Sequence, residues 1–279
     1  MITCLNNATT GAKTFGEFAT AASDAGFEAI EVGLDWLEAY AAERSVAALK
    51  QYLSAKNLRV GSCGLPLDWR APEAEFRRDL QEVPRRLDLA CEFGAPRLCT
   101  WIPPRWDKPY AETFAFARDR FGAIADAFAG HGALLGLEFV GPQGGFRTTR
   151  YKFITTLAEV LHLIDAIGRD NVGVMIDSYH LFVGEATLAE IAALPARRII
   201  QFHINDAYVG VPREQLEDLK RLLPGEGAIP LVPMLRAVRS TGYTGTVSIE
   251  TFSDEVKALG PAAAARRAKA CLDSVLAVV

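Results

Sequence analysis

The sequence predicts an α/β fold, a single (β/α)8 TIM barrel formed by one domain over residues 1–279. Three observations predict it. Short apolar runs alternate with amphipathic segments from end to end. Eight such units in 279 residues give about 35 residues each, and a barrel of this kind typically needs about 250 residues. The turn after the first apolar run, "NNATTGAKT", lacks the GxGxxG that a doubly wound sheet usually carries there. No Ser/Gly-rich linker or change of composition divides the chain, and no internal repeat appears beyond the alternation.

Taken in order, Ile2–Leu5 is the first strand. Thr14–Ala25 is the first helix, with Thr14 and Glu17 spaced as a capping box and Gly26 as its stop. Ala29–Val32 is the second strand, and Val46–Lys56, opened by Ser45, the second helix. Leu58–Ser62 is the third strand. Glu73–Phe93 is a long helical stretch that Pro84 kinks or divides and Gly94 ends. Arg97–Thr100 and Ala111–Ala129 form the fourth unit. Leu134–Phe139 with Phe153–Ile167 forms the fifth, and Val172–Ile176 with Leu188–Ala193 the sixth. Ile199–Ile204 with Pro230–Ser240 is the seventh, and Thr246–Ile249 with Ala262–Val278 the eighth. Two segments after strands are long, Val140–Lys152 and Asn205–Gly227. Loops at that end of a barrel form its catalytic face, so both are candidate lids or substrate walls.

Composition excludes several functions. Half of the residues are apolar, enough for a sizeable core. The 34 acidic and 30 basic residues leave a net charge of -4 with no Lys/Arg block, so no nucleic-acid partner is expected. The N-terminal "MITCLNNATTG" lacks the basic region and long apolar core of a signal peptide, and no apolar run reaches roughly 18 residues, so no membrane partner is expected. Five cysteines, an odd number without CxxC, read as reduced thiols in a cytoplasmic protein. The oligomeric state stays open, a homo-oligomer included.

Four of the apolar runs end on a side chain able to bind a metal. Leu134–Phe139 delivers Glu138, Val172–Ile176 delivers Asp177, Ile199–Phe202 delivers His203 and Val247–Ile249 delivers Glu250. A carboxylate or imidazole there has no packing purpose, and burying one unpaired is costly. The spacings of 39, 26 and 47 residues each approximate one βα unit, so strands five to eight bring the four to one mouth of the barrel. A carboxylate at a strand end also suits an N-cap, and a lone histidine suits a core, but the conjunction points to one divalent metal ion. Three oxygens and one nitrogen suit Mn, Zn, Co or Mg and exclude a thiolate zinc site. His180, three residues after Asp177, is a substrate contact, a ligand or a helix-start residue. Asp206, three after His203, orients a ligand or caps a loop; Arg221 reaches a substrate oxygen or is solvated. Trp101 and Trp106 flank the loop after strand four, where they wall a sugar-sized pocket or simply pack.

Two glutamates on a metal are a proton-transfer arrangement. The metal holds a carbonyl and an adjacent hydroxyl and stabilises the enediolate left when an α-proton departs. One glutamate removes the proton and the other returns it. Return to the neighbouring carbon is isomerisation and return to the opposite face is epimerisation, while loss of a β-hydroxyl is dehydration. Ligand type does not separate the three.

The Glu, Asp-x-x-His, His-x-x-Asp and Glu pattern resembles the xylose-isomerase-like barrel superfamily of sugar isomerases, epimerases and dehydratases. Within it, "NNATT" at 6–10, "LEFVG" at 137–141, "RDNVGVMIDSYH" at 169–180, "HIND" at 203–206, "RLLPGEGAI" at 221–229 and "VSIETF" at 247–252 are similar in order and spacing to the inosose isomerases of inositol catabolism. The resemblance implies a sugar or cyclitol substrate, interconversion of 2-keto-myo-inositol and 1-keto-D-chiro-inositol, and metal ligation by Glu138, Asp177, His203 and Glu250. It implies Glu138 and Glu250 as the acid/base pair, with His180 and Arg221 on the substrate. The first-half loops "CGLPLDWR" and "TWIPPRWDKPY" do not match, so dehydration of an inosose or dehydroshikimate, or epimerisation of a ketohexose, stays as the alternative. A related nuclease would need additional histidines. This chain has four His, and His131 and His162 fall away from the strand ends. A metal-free binding barrel would be favoured by loss of any one of the four donors, and all are present.

Overall fold

The structure, a computed structural model, describes residues 1–142 and 149–279. Its strands are β1 (Ile2–Asn6), β2 (Ala29–Val32), β3 (Arg59–Gly64), β4 (Arg97–Ile102), β5 (Arg105–Trp106), β6 (Leu134–Phe139), β7 (Tyr151–Lys152), β8 (Val172–Asp177), β9 (Ile199–Ile204) and β10 (Thr246–Ile249). Eight of them close into a barrel in the order β1-β10-β9-β8-β6-β4-β3-β2, with every described pair parallel. The short β5 and β7 pair antiparallel, tying the segment after β4 to the segment after β6. Part of that second segment, one of the two expected substrate walls, lies outside the described residues.

The helices are α1 (Phe15–Asp24), α2 (Leu34–Glu43), α3 (Val46–Ala55), α4 (Glu73–Glu92), α5 (Tyr110–Phe128), α6 (Leu157–Ile167), α7 (Ser178–Val183), α8 (Leu188–Ala192), α9 (Leu231–Ser240), α10 (Asp254–Ala258) and α11 (Pro261–Leu276). The Thr14 hydroxyl accepts from the Glu17 N–H, but the Glu17 carboxylate turns to the Lys13 N–H rather than to Thr14. Complete capping boxes sit instead on α6, between Thr156 and Glu159, and on α8, between Thr187 and Glu190. The first explains why α6 starts at Leu157 and not at Phe153. Four helices depart from expectation. α2 follows Gly33 with no side-chain cap, so it carries no start signal. α7 and α10 are only 6 and 5 residues long, too short for a helical period to register. α4 runs unbroken through Pro84.

The main core lies between barrel and helices. Phe18, Leu37, Phe121, Phe128, Leu163, Leu235 and Leu272 are buried there with Leu5, Ile30, Leu98, Phe202 and Val247. Full burial of each such side chain contributes roughly 1.5–3 kcal/mol. A second, small cluster joins Cys99, Met175 and Ile200. Cys4, Cys63 and Cys99 are buried and unpaired, as small hydrophobes in β1, β3 and β4. Among the described residues, no helix is long and apolar enough to cross a membrane.

Two irregularities in the sheet position the chemistry. Between β8 and β9 the register shifts: Val174 pairs with Ile199, but Asp177 pairs with His203. Without that shift Asp177 would oppose Phe202, and His203 would face the other side of the sheet. A second shift separates Ile30 from Glu31 on β2, so that Ile30 pairs with Val60 while Glu31 pairs with Ser62. Glu31 and His203, one beside each bulge, meet inside the barrel.

Candidate metal centre

Glu138 lies near the end of β6, Asp177 ends β8, His203 lies near the end of β9 and Glu250 directly follows β10. The barrel brings all four together. His203 Nδ1 is 3.4 Å from Glu250 Oε2, 3.7 Å from Glu138 Oε1 and 3.9 Å from Asp177 Oδ2. Donor atoms of Asp177, His203 and Glu250 lie within 4.8 Å of one another, and so do those of Glu138, Asp177 and His180.

Whether these residues fit a divalent ion is answered by their unspent atoms. Glu138 Oε1 and His203 Nδ1 are both buried, and both lack a hydrogen-bond partner among the described residues. Two such groups facing each other would be costly unless a third group meets them. The titration tendencies agree. Burial, with the charges of Glu250 and Asp177, pushes the Glu138 carboxyl well above the usual carboxylate range. Burial opposes protonation of His203, yet Glu31 and Glu250 outweigh it and hold the imidazole well above its ordinary value. One group is driven to shed negative charge and its neighbour to gain positive charge. A divalent cation supplies what both lack, and the donor set fits one.

Asp177 does two things. Its Oδ1 caps α7, accepting from the Tyr179 N–H at 2.6 Å and the His180 N–H at 3.3 Å. Its Oδ2 faces the cluster, accepting from Asn205 Nδ2 at 2.9 Å and Arg221 Nη1 at 3.0 Å. The N-cap reading and the ligand reading of this residue are therefore compatible. Burial raises its pKa, but Arg221, His180 and His203 prevail and hold it below the usual range.

Arg221 is fully buried rather than solvated. Its guanidinium binds Asp177 Oδ2 and Glu250 Oε2, each at 3.0 Å, and Asp218 Oδ1 at 2.7 Å. Its Nη2 lies 3.3 Å from His180 Nε2. His180 is buried on α7, and burial lowers its pKa. Of the two readings of Asp206, its hydrogen bonds match the loop cap and not the ligand-orienting or substrate-binding role. Its carboxylate accepts from the N–H groups of Ala207, Gly225, Gly227 and Ile229 at 2.8–3.1 Å, so it holds a loop together and does not reach the cluster. The two ends of that loop also pair, Asp206 with Leu222. A Cβ on Gly227 would approach Ala207 O to 2.1 Å, so only glycine fits there.

The cluster floors a cavity of about 380 Å³, lined by Trp101, Val140, Leu219 and Phe252 beside Glu138, His180, Glu217, Asp218, Arg221 and Glu250. Trp101 thus walls the pocket. Trp106 does not; it stacks on buried Trp69 with centroids 5.5 Å apart. A larger cavity of about 660 Å³ opens at the strand starts, beside Arg97, Leu134, Val172 and Ile199, and contains none of the candidate residues. His131 bonds Asp88 and His162 stacks on Phe114, both away from the cluster.

Sequence reasoning missed Glu31. Buried on β2, it accepts from His203 Nε2 (2.8 Å), Gln201 Nε2 (3.1 Å) and Ser248 Oγ (2.7 Å). Burial raises its pKa, but His203 and these donors pull it down to about 2. With an ion in place, this contact would keep the one remaining His203 proton on Nε2 and leave Nδ1 free to hold the ion. Asn6 and Asn205 were also missed; Asn6 Nδ2 donates to Glu250 Oε1 at 3.3 Å. Their signal was present as polar residues in "NNATT" and "HIND". Glu31→Gln is expected to weaken Mn²⁺ affinity about 10- to 100-fold by titration calorimetry; unchanged affinity would remove Glu31 from this role.

Comparison with known proteins places the geometry in context. A family model described as "Xylose isomerase-like TIM barrel" matches residues 19–275. The inosose isomerase of Bacillus velezensis is 25% identical over 256 residues, 90% of this chain and 88% of its own. Three further inosose isomerases match over about half of their lengths, 46–50%. A xylose isomerase domain protein from Alicyclobacillus acidocaldarius superposes with a TM-score of 0.91 at 31% identity, covering 100% of this chain and 99% of that one. The IolI protein with a binding zinc atom shares the fold, with a TM-score of 0.84 at 22% identity over 99% of this chain and 98% of its own. A D-psicose 3-epimerase and a 3-dehydroshikimate dehydratase match over smaller shares of the chain.

Proposed function

The chain belongs to the xylose isomerase-like TIM barrel family, and from that premise we propose that it is a divalent-metal-dependent isomerase of an inosose-type cyclic α-hydroxy ketone. The observation that carries the reading is the pair of unspent, buried donors, Glu138 Oε1 and His203 Nδ1, facing each other beside Asp177 and Glu250 under a pocket of small-ring size. Glu138, Asp177, His203 and Glu250 hold the ion. When bound, it supplies Lewis acidity that stabilises negative charge developing on substrate oxygens. Glu138 and Glu250 are the acid/base pair: one takes the α-proton, and the other, protonated beforehand, gives its own proton to the neighbouring carbon. Arg221 and His180 orient substrate oxygens, and Trp101, Phe252 and Leu219 exclude water from the ring's apolar face. The five free cysteines support a cytoplasmic location.

Charge favours a neutral polyol ketone over dehydroshikimate, which carries a carboxylate. Among the described residues lining the pocket, Arg221 is the only Arg or Lys, and three carboxylates already engage it. Keto-inositols, ketohexoses and dehydroshikimate presented with Mn²⁺ in D₂O, and followed by NMR, test the reading. The expected result is conversion of 2-keto-myo-inositol to 1-keto-D-chiro-inositol with deuterium on the ring. Turnover of a ketohexose or of dehydroshikimate with no turnover of the keto-inositol would replace isomerisation by epimerisation or dehydration.

A further inference from the structure

We propose that Asp218 carries the oxygen-bound proton between neighbouring substrate oxygens, the step that separates isomerisation from epimerisation. The inference rests on the isomerase reading above. Moving a ketone to the adjacent carbon needs two proton transfers. First a base takes the C–H proton; that electron pair forms a carbon–carbon double bond, and the carbonyl π pair moves onto its oxygen. Next the hydroxyl O–H breaks and its pair forms the new carbonyl. The double-bond pair then takes a proton at the former carbonyl carbon, and the former carbonyl oxygen gains the proton the hydroxyl lost. No oxidant or reductant enters. Epimerisation returns a proton to the same carbon and leaves the oxygens as they were. An isomerase therefore moves a proton between oxygens, a task that an epimerase does not have.

Among the described residues lining the pocket, few are candidates for that task. Glu138 and Glu250 are committed to the carbon-bound proton. Arg221 does not release a proton in proteins. His180 Nε2 lies 3.3 Å from Arg221 Nη2, so its lone pair is taken by a donor, and its Nδ1 is buried without a partner. Glu217 pairs outward with Lys220, its side chain 56% exposed. Asp218 remains. It arrives on the long segment between β9 and α9, three residues before Arg221, and lines the pocket beside Glu250 and His180. Arg221 grips it twice, through Nε to the Asp218 carbonyl at 2.8 Å and through Nη2 to Oδ1 at 2.7 Å. The same guanidinium binds Asp177 and Glu250. This chelate fixes the Asp218 carboxylate, three-quarters buried, at the rim of the donor cluster, and a carboxylate held there can accept one proton and return it.

The test separates the two transfers. Mn²⁺-loaded wild type and Asp218→Asn protein are incubated with 2-keto-myo-inositol in D₂O, and NMR reads both deuterium incorporation at the α-carbon and formation of the isomer. The ratio of isomer to incorporated deuterium is expected to fall about a hundredfold or more in Asp218→Asn. Loss of folded enzyme lowers both signals together and leaves that ratio alone. Asp218→Ser, which removes the carboxyl outright, is expected to give the same fall. A wild-type ratio in either variant would overturn the proposal and leave Asp218 as a support for Arg221. A wild type that neither exchanges nor isomerises the keto-inositol would overturn the isomerase reading itself, a separate and recognisable result.

Discussion

Glutamine at position 250 is expected to slow α-proton exchange by about a thousandfold while leaving the protein folded. An amide oxygen is no base at neutral pH, yet it has the shape of the carboxylate it replaces. Its single amide oxygen can still accept from Arg221, which holds Glu250 Oε2 in the native site, at the cost of the weaker bond from Asn6 to Oε1. The neighbouring backbone is anchored independently, by the Thr251 N–H on the Thr9 hydroxyl and by the Thr9 hydroxyl on the Ile249 carbonyl. The measurement is washout of deuterium from labelled substrate, beside a thermal melt. Washout at the wild-type rate from Glu250→Gln would remove Glu250 from the proton-transfer pair.

Stripping the protein of metal with a chelator is expected to abolish turnover altogether, with Mn²⁺ or Co²⁺ restoring it. The reason is charge. Glu31, Glu138, Asp177 and Glu250 stand close together with, among the described residues, one guanidinium, Arg221, as the fixed cation between them. A dication relieves that excess in the native state and has no comparable site in the unfolded chain. Melting should therefore rise with added metal, by the equivalent of about 2.7 kcal/mol at a hundred times the dissociation constant. Full turnover by demonstrably metal-free protein would end this account of the site.

How much of this was readable beforehand depended on distance along the chain. Glu138, Asp177, His203 and Glu250 each break an apolar run at its end, a local signal, and their unit-length spacings convert it into a shared location. The strand runs were equally local: Ala29–Val32, Leu134–Phe139, Ile199–Ile204 and Thr246–Ile249 form with the expected ends. Glu31 carried no such signal. It sits inside "AIEV", and its partner His203 is 172 residues away, so closure of the barrel and two register shifts are what unite them. For Arg221 a substrate contact and a solvated position read alike, because the loop that buries it is built from four backbone bonds to Asp206, invisible to any periodicity. The fate of Trp106 turned on buried Trp69, whose aromatic neighbours come from distant elements.

One residue in the cluster has little evolutionary freedom. Asp177 serves two masters through one short side chain, an oxygen for the start of α7 and an oxygen for the charged centre. Asparagine would preserve the first service and forfeit the anion. Glutamate would preserve the anion but stand a methylene too far out to secure the helix that presents His180. Drift at this position is closed in both directions, so selection on catalysis and selection on folding act there as a single constraint.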